Sequence, residues 1–88
     1  MKIEFDAAKN ERNIQERGLS FELATEFDWG TALVVPSDRH GEARYLALGF
    51  IGSQLYAIAF TKRGEKLRVI SLRRANKREV KRYEKAKP

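Results

Sequence analysis

Lys66-Leu67-Arg68-Val69-Ile70-Ser71-Leu72-Arg73, followed at once by Arg74-Ala75-Asn76-Lys77-Arg78-Glu79-Val80-Lys81-Arg82-Tyr83, is the stretch whose reading decides the fold. Residues 66–73 read as a strand. Successive side chains of a strand point to opposite faces, so Leu67, Val69, Ser71 and Arg73 share one face and Arg68, Ile70, Leu72 and Arg74 the other, unless a bulge intervenes. Both faces are apolar at the centre, the pattern of an interior strand. Beyond it, Asn76 is placed to cap a helix, with Glu79 three residues on in the reciprocal capping-box position. At about 100° per residue, Val80, Tyr83 and Ala86 fall on one side of that helix, and Lys77, Arg78, Lys81, Arg82 and Lys85 on the other. The frame is thus a stiff strand ending in arginines, followed by a helix with one cationic face.

Reading outward, residues 62–65 (Lys62-Arg63-Gly64-Glu65) form a turn, residues 55–61 a strand, and Gly52-Ser53 a hairpin turn onto a strand over 44–50. Short turns between these strands imply an antiparallel meander. Before it, residues 31–35 form a strand stopped by Pro36-Ser37-Asp38, and Arg39-His40-Gly41-Glu42 is a loop. At the front, residues 2–5 are a short strand and Asp6 caps a helix over 7–17, with Ala7 and Ile14 as a narrow apolar stripe and Gly18 as C-cap. Ser20 caps a second helix, with Leu19 stapling onto Ala24, and Phe21, Ala24 and Phe27 as its buried face. Asp28-Trp29-Gly30 closes that helix, with Trp29 plugging the edge of the core. The expected architecture is α+β over a single domain, residues 1–88: a mostly antiparallel sheet packed by two N-terminal helices and a C-terminal helix.

Composition narrows the function. The chain has no cysteine and one histidine, His40, so neither a disulfide framework, nor a zinc cluster, nor a histidine-pair nuclease is expected. His40 has no evident partner and reads as solvated. No glycine-rich phosphate loop is present, since Gly49 and Gly52 lack the glycine, lysine or helix that should follow. No cofactor and no metal are expected. The longest apolar run, 46–51, is too short to span a bilayer, and the N-terminus lacks the apolar region of a signal peptide, which points to the cytoplasm. The net charge of +6 is unevenly spread. Residues 1–61 carry six lysines and arginines against nine carboxylates, whereas residues 62–88 carry twelve against three. Such asymmetry suits either a polyanion partner or a solubilising tail. On spacing alone, Ser71 and the strand-end arginines fit a buried hydroxyl and solvated surface charges as well as they fit a site.

The chain also resembles the BrnT toxins of type II toxin–antitoxin modules. The residues that carry the resemblance are Phe5-Asp6, Ala8-Lys9 and Asn13; Gly18-Leu19-Ser20-Phe21 and Glu22; Ala24 and Phe27-Asp28; Glu42, Arg44-Tyr45 and Leu48-Gly49; Thr61-Lys62-Arg63-Gly64; Leu67-Arg68-Val69-Ile70-Ser71; Arg73-Arg74-Ala75; and Glu79 with Arg82-Tyr83-Glu84. It departs at Glu16-Arg17, where many relatives read Lys-His before the glycine. The resemblance implies a RelE-like fold, a ribosome-independent endoribonuclease, and an antitoxin of the BrnA kind with a ribbon-helix-helix-type DNA-binding domain, the complex binding operator DNA. Carried over residue by residue, its catalytic candidates are Arg68, Ser71, Arg73, Arg74 and Tyr83.

Those residues suit a metal-free cleavage in which the ribose 2′-OH attacks the adjacent phosphorus. Guanidinium forks can hold two phosphoryl oxygens at once and stay charged, and Ser71 can donate a further hydrogen bond. Tyr83, Lys9, Glu79 or another lysine could take the proton. Lys62, Arg63, Lys77, Arg78, Lys81 and Arg82 would gather the RNA backbone, or an acidic antitoxin segment. The alternative from another class is a non-enzymatic nucleic-acid-binding module built on the basic C-terminal helix. A third is a structural partner that loads onto another protein.

Overall fold

The computed structural model describes residues 2–37 and 41–86, so the expectations for Asp38, Arg39 and His40 lie outside the described residues. Five strands, β1 (Lys2–Phe5), β2 (Leu33–Pro36), β3 (Tyr45–Ile51), β4 (Gln54–Arg63) and β5 (Lys66–Arg74), form one sheet in the order β1-β5-β4-β3-β2. All neighbours are antiparallel except β1 and β5, which run parallel. Two α-helices complete the fold, α1 (Ala7–Arg17) and α2 (Lys77–Ala86). The architecture is α+β, with β5 an interior strand as its two-sided apolar pattern implied.

The local signals at α1 act as expected. Asp6 accepts a hydrogen bond from the Lys9 backbone N–H at 3.0 Å, and Gly18 closes the helix with φ 70°, a left-handed conformation that costs a side-chain-free residue nothing. The expected stripe does not face inward: Ala7 is exposed and Ile14 is 37% exposed. The one fully buried residue of α1 is Asn13.

The expected second helix is instead a 3-10 turn over Phe21–Thr25, with another over Trp29–Thr31, so the described residues hold two α-helices rather than three. The reason lies in the spacing of Phe21, Ala24 and Phe27. A strict three-residue repeat matches the 3-10 period, not 3.6, and all three side chains are buried. The backbone N–H of Asp28 then donates to the Phe50 carbonyl at 2.9 Å, tying the segment to the end of β3 where a helix would have carried it away. The second 3-10 turn also delays β2 to Leu33, and Pro36 joins β2 because an edge position asks no ladder N–H of it. Lys62 and Arg63 belong to β4 rather than to a turn, leaving Gly64-Glu65 as the turn itself.

One face of the sheet carries the main core. Ala47, Ile58, Phe60, Leu67, Val69 and Leu72 pack there against Phe21, Ala24 and Phe27. Trp29 sits at the rim, half-buried, its indole N–H donating to the Ala24 carbonyl at 2.9 Å and its ring edge-on to Phe60. The 3-10 turns lie so close to β3 that a Cβ on Gly49 would stand 2.6 Å from the Phe27 ring. On the opposite face Leu48, Leu55 and Ala57 are buried, and α2 lies against β3 there, with Tyr83 edge-on to Phe50 at 5.5 Å between centroids. Val80 and Tyr83 are half-buried as their spacing predicts, while Ala86 is exposed.

Candidate ribonuclease site

The alternation along β5 breaks at Ile70. Val69 stands opposite Phe60, but Ser71 stands opposite Ala59, so Ile70 is an extra residue in the ladder. This bulge corrects the parity that strict alternation predicts. Leu67, Val69 and Leu72 all point into the main core, and Arg68, Ser71 and Arg73 share the other face. Arg74 stands opposite Tyr56, on the core side, so Arg73 and Arg74 leave the strand in opposite directions. The bulge therefore gathers three of the five catalytic candidates on one surface and sends the fourth around the strand end.

Each of the gathered arginines meets one carboxylate. Arg68 pairs with Glu4 of β1 at 3.3 Å. Arg73 makes a two-pronged contact with Glu79 of α2, Nη1 to Oε1 at 2.7 Å and Nη2 to Oε2 at 2.9 Å. Glu79 also accepts from the Asn76 backbone N–H, while the Glu79 N–H donates to the Asn76 side chain, both at 2.9 Å, which is the capping box the sequence announces. One carboxylate thus starts α2 and docks it onto β5. The hydrogen bonds from Arg73 hold the Glu79 carboxyl below the ordinary range, and the same contact raises the Arg73 guanidinium. A carboxylate so engaged is a weak proton acceptor, which argues against Glu79 as the base. Tyr83 is engaged as well, donating its hydroxyl to the Thr31 carbonyl at 3.0 Å. That contact and its ring on Phe50 make it an anchor of α2, away from Ser71.

Side chains from α1 complete the surroundings of Ser71. A cleft of about 190 Å³ is lined by Lys9, Arg12, Asn13, Glu16, Arg17, Ile70 and Ser71. Of Lys9, Glu79 and Tyr83, only Lys9 lines this cleft with Ser71. At the end of the strand a second opening, about 430 Å³, is lined by Arg17, Leu19, Arg73 and Arg74. Arg17, the position at which the chain departs from the Lys-His of many relatives, lines both clefts.

Asn13 holds this region in register. The pairing of β1 with β5 ends at Phe5 and Val69, just before the bulge, and leaves the edge of β5 without a strand partner. The Asn13 carboxamide takes over. Its Nδ2 donates to the Leu72 carbonyl and to the Leu19 carbonyl, each at 2.9 Å, and its Oδ1 accepts from the Leu72 N–H at 3.5 Å and from Arg17 Nη1 at 3.0 Å. Sequence reasoning gave Arg12 no role and named Asn13 and Arg17 only as a point of resemblance to, and of departure from, the BrnT family. The available signal was the spacing Asn10, Asn13, Arg17, a polar stripe on a helix whose apolar stripe was too narrow to bury it. Asn10 belongs to the same stripe, its Oδ1 accepting from the Phe21 N–H at 2.7 Å.

The remaining candidates are spread more widely. Lys77, Arg78, Lys81 and Arg82 are exposed along α2. Lys62 sits on the core side of the sheet, its ammonium 5.5 Å from the centre of the Tyr45 ring, whereas Arg63, opposite Lys66, is on the Arg68 side. Among the described residues no helix is long and apolar enough to cross a membrane.

No individually curated protein matches the chain. A family model does: the one described as the ribonuclease toxin BrnT of type II toxin–antitoxin systems matches residues 5–79, which takes in β2 to β5, α1, Ser71, both strand-end arginines and the Glu79 that docks α2. The chain belongs to the BrnT family of ribonuclease toxins.

Proposed function

We propose that this chain is a ribosome-independent endoribonuclease that cuts RNA without a metal ion, at the sheet surface formed by Arg68, Ser71 and Arg73. The observation that carries the reading is the bulge at Ile70, which puts two guanidinium-bearing side chains and a hydroxyl on one face of a rigid interior strand. In the reaction the ribose 2′-oxygen forms a bond to phosphorus as the bond from phosphorus to the 5′-oxygen breaks. The products are a 2′,3′-cyclic phosphate and a 5′-hydroxyl. Negative charge grows on the phosphoryl oxygens, where fixed donors are worth about 3–4 kcal/mol each. Arg68 and Ser71 donate there, and Arg73, braced by Glu79, supplies charge beside them. Lys9, which shares the cleft with Ser71, takes the 2′ proton as its neutral amine, and water supplies the proton that the departing 5′-oxygen needs. Tyr83 supports the site from a distance by holding α2, and Arg74 with the cationic side of α2 gathers the backbone.

The family implies an antitoxin partner. We assign to it a DNA-binding domain of the ribbon-helix-helix type, an acidic segment that covers residues 68–82, and binding of the complex to its own operator. The RelE-like relationship implied by the resemblance is compatible with the sheet and helices described, and action on RNA places the toxin in the cytoplasm.

The test is incubation of purified protein with RNA in EDTA, beside Arg68→Ala, Ser71→Ala and Lys9→Met variants. Wild type should cleave to cyclic-phosphate ends, and each variant should lose about 10²-fold or more. If wild type shifts RNA on a gel but leaves it intact, the enzyme reading fails and a non-enzymatic binding module built on α2 takes its place.

A further inference from the structure

We propose that the opening between the end of α1 and the end of β5 is a second, pre-formed site for phosphoryl oxygens, built by Arg17 and Arg74 with the flank of Arg73, and that it holds an RNA backbone phosphate neighbouring the one that is cut. Three of its four lining residues are arginines. Among the described residues neither Arg17 nor Arg74 forms an ion pair with a carboxylate, and Glu79 has both of its oxygens engaged by Arg73. The opening therefore concentrates positive charge that the protein itself does not neutralise.

Arg17 does not reach the opening as a free surface chain. Its Nη1 donates to Asn13 Oδ1 at 3.0 Å, and Asn13 is buried and bound to the backbone of Leu72, in the same strand as Arg73 and Arg74. The network reduces the rotamer freedom that an arginine normally loses when it binds an anion. Across the strand, Arg73 and Arg74 leave in opposite directions, so arginine residues border the opening from both sides of the sheet edge and from the helix. A tetrahedral phosphate can accept from donors on several sides at once, whereas a carboxylate accepts around a single plane. At about 430 Å³ the opening is also larger than a single carboxylate needs.

The RNA part of this proposal rests on the nuclease reading; phosphate binding itself does not. Two probes separate them: inorganic phosphate, and a fully 2′-O-methylated RNA oligomer that cannot be cleaved by 2′-attack. Binding of each is followed by amide NMR shifts at fixed ionic strength set with chloride. Each charge-assisted contact removed should cost about tenfold in affinity, so the Arg17→Ala/Arg74→Ala pair should weaken both probes by that factor or more. Lys2→Ala/Lys66→Ala, which removes the same charge at the other end of β5, should leave phosphate binding unchanged. Arg17→Lys/Arg74→Lys, which keeps charge and fold but removes the forks, should recover only part of the loss. Equal losses in the two alanine pairs, or phosphate no more effective than chloride, would overturn the site. Loss of phosphate binding with unaltered affinity for the methylated RNA would overturn its assignment to RNA. So would selective loss of binding to a polyglutamate peptide, which would assign the opening to a protein partner. Should unmodified RNA remain intact with wild type while these shifts hold, the nuclease reading fails and this site stands.

Discussion

Replacing Asn13 by alanine removes one small side chain and four hydrogen bonds, two of them at the edge of β5. The Leu72 N–H and carbonyl and the Leu19 carbonyl lose their partner, and Arg17 loses the oxygen that steers it. Leu72 is 0% exposed and Asn13 4%, so water cannot readily replace the amide. A buried polar group left without a partner costs about 1–3 kcal/mol. With the two Leu72 groups at the low end of that range and the half-buried Leu19 carbonyl adding about 1 kcal/mol, the expected destabilisation is about 3 kcal/mol. A chain of this size has a total stability of about 4–13 kcal/mol, so the variant should still fold but with much of its margin gone. Thermal unfolding should move down by about 12–24 °C. Asn13→Asp should do no better, because it keeps the acceptor, loses both donors to the Leu19 and Leu72 carbonyls, and buries a charge. Gln15→Ala, on the exposed side of the same helix, is the control and should shift stability by less than about 0.5 kcal/mol. Circular dichroism melts and urea titrations measure all three, and hydrogen exchange at the Leu72 amide should speed up most in Asn13→Ala. A loss under 1 kcal/mol, indistinguishable from Gln15→Ala, would refute the idea that this side chain stands in for a missing strand.

Two further perturbations test the packing and the helix dock. Gly49→Ala places a Cβ 2.6 Å from the Phe27 ring, which is itself buried, so the ring must move and stability should fall by about 1–3 kcal/mol in urea titrations. Glu79→Gln keeps the capping bond to Asn76 but removes the charge that faces Arg73. Because the folded-state Glu79 carboxyl lies below its ordinary value of 4.5, its contribution is fully present above that pH and is lost as pH falls through the lower folded value. The contact is only partly screened from water, so the loss should be about 1 kcal/mol. Stability measured from pH 7 down to 3 should show that acid-dependent component in wild type and not in Glu79→Gln; parallel curves would remove the pair from the account.

Much of this molecule could be read from the chain alone. The capping box at Asn76 and Glu79, the hairpin at Gly52-Ser53, the left-handed stop at Gly18 and the interior character of β5 are all local signals, and each appears where the residues place it. What was missed depends on contacts distant in sequence. Asn13 and Leu72 are 59 residues apart, and only their meeting makes a buried amide in a weakly amphipathic helix sensible. The second helix was misread because Phe21, Ala24 and Phe27 satisfy a three-residue period, which over so short a span resembles the period of an α-helix. The site was half legible. The resemblance pointed to Arg68, Ser71 and Arg73 together, while alternation separated Arg68 from the other two. The contribution of α1 to the clefts, through Lys9, Arg12 and Arg17, is marked locally only by a polar stripe, which does not say what the helix packs against.

The extra residue at Ile70 acts as a phase shift in a period-two signal. On either side of it the inside–outside rhythm is regular, and the two halves are joined half a period out of step. What such a junction requires is that Ile70 stay out of the ladder, whatever its side chain. Point substitutions at the bulge leave the register of both halves intact. Pairing Ile70 into the ladder as an ordinary strand residue would turn Ser71 and Arg73 toward the apolar interior and Leu72 toward solvent, whereas deleting it would leave a regular strand with the same faces. The face that carries Arg68, Ser71 and Arg73 is thus set by the one residue left out of the ladder as much as by the chemistry of the residues within it.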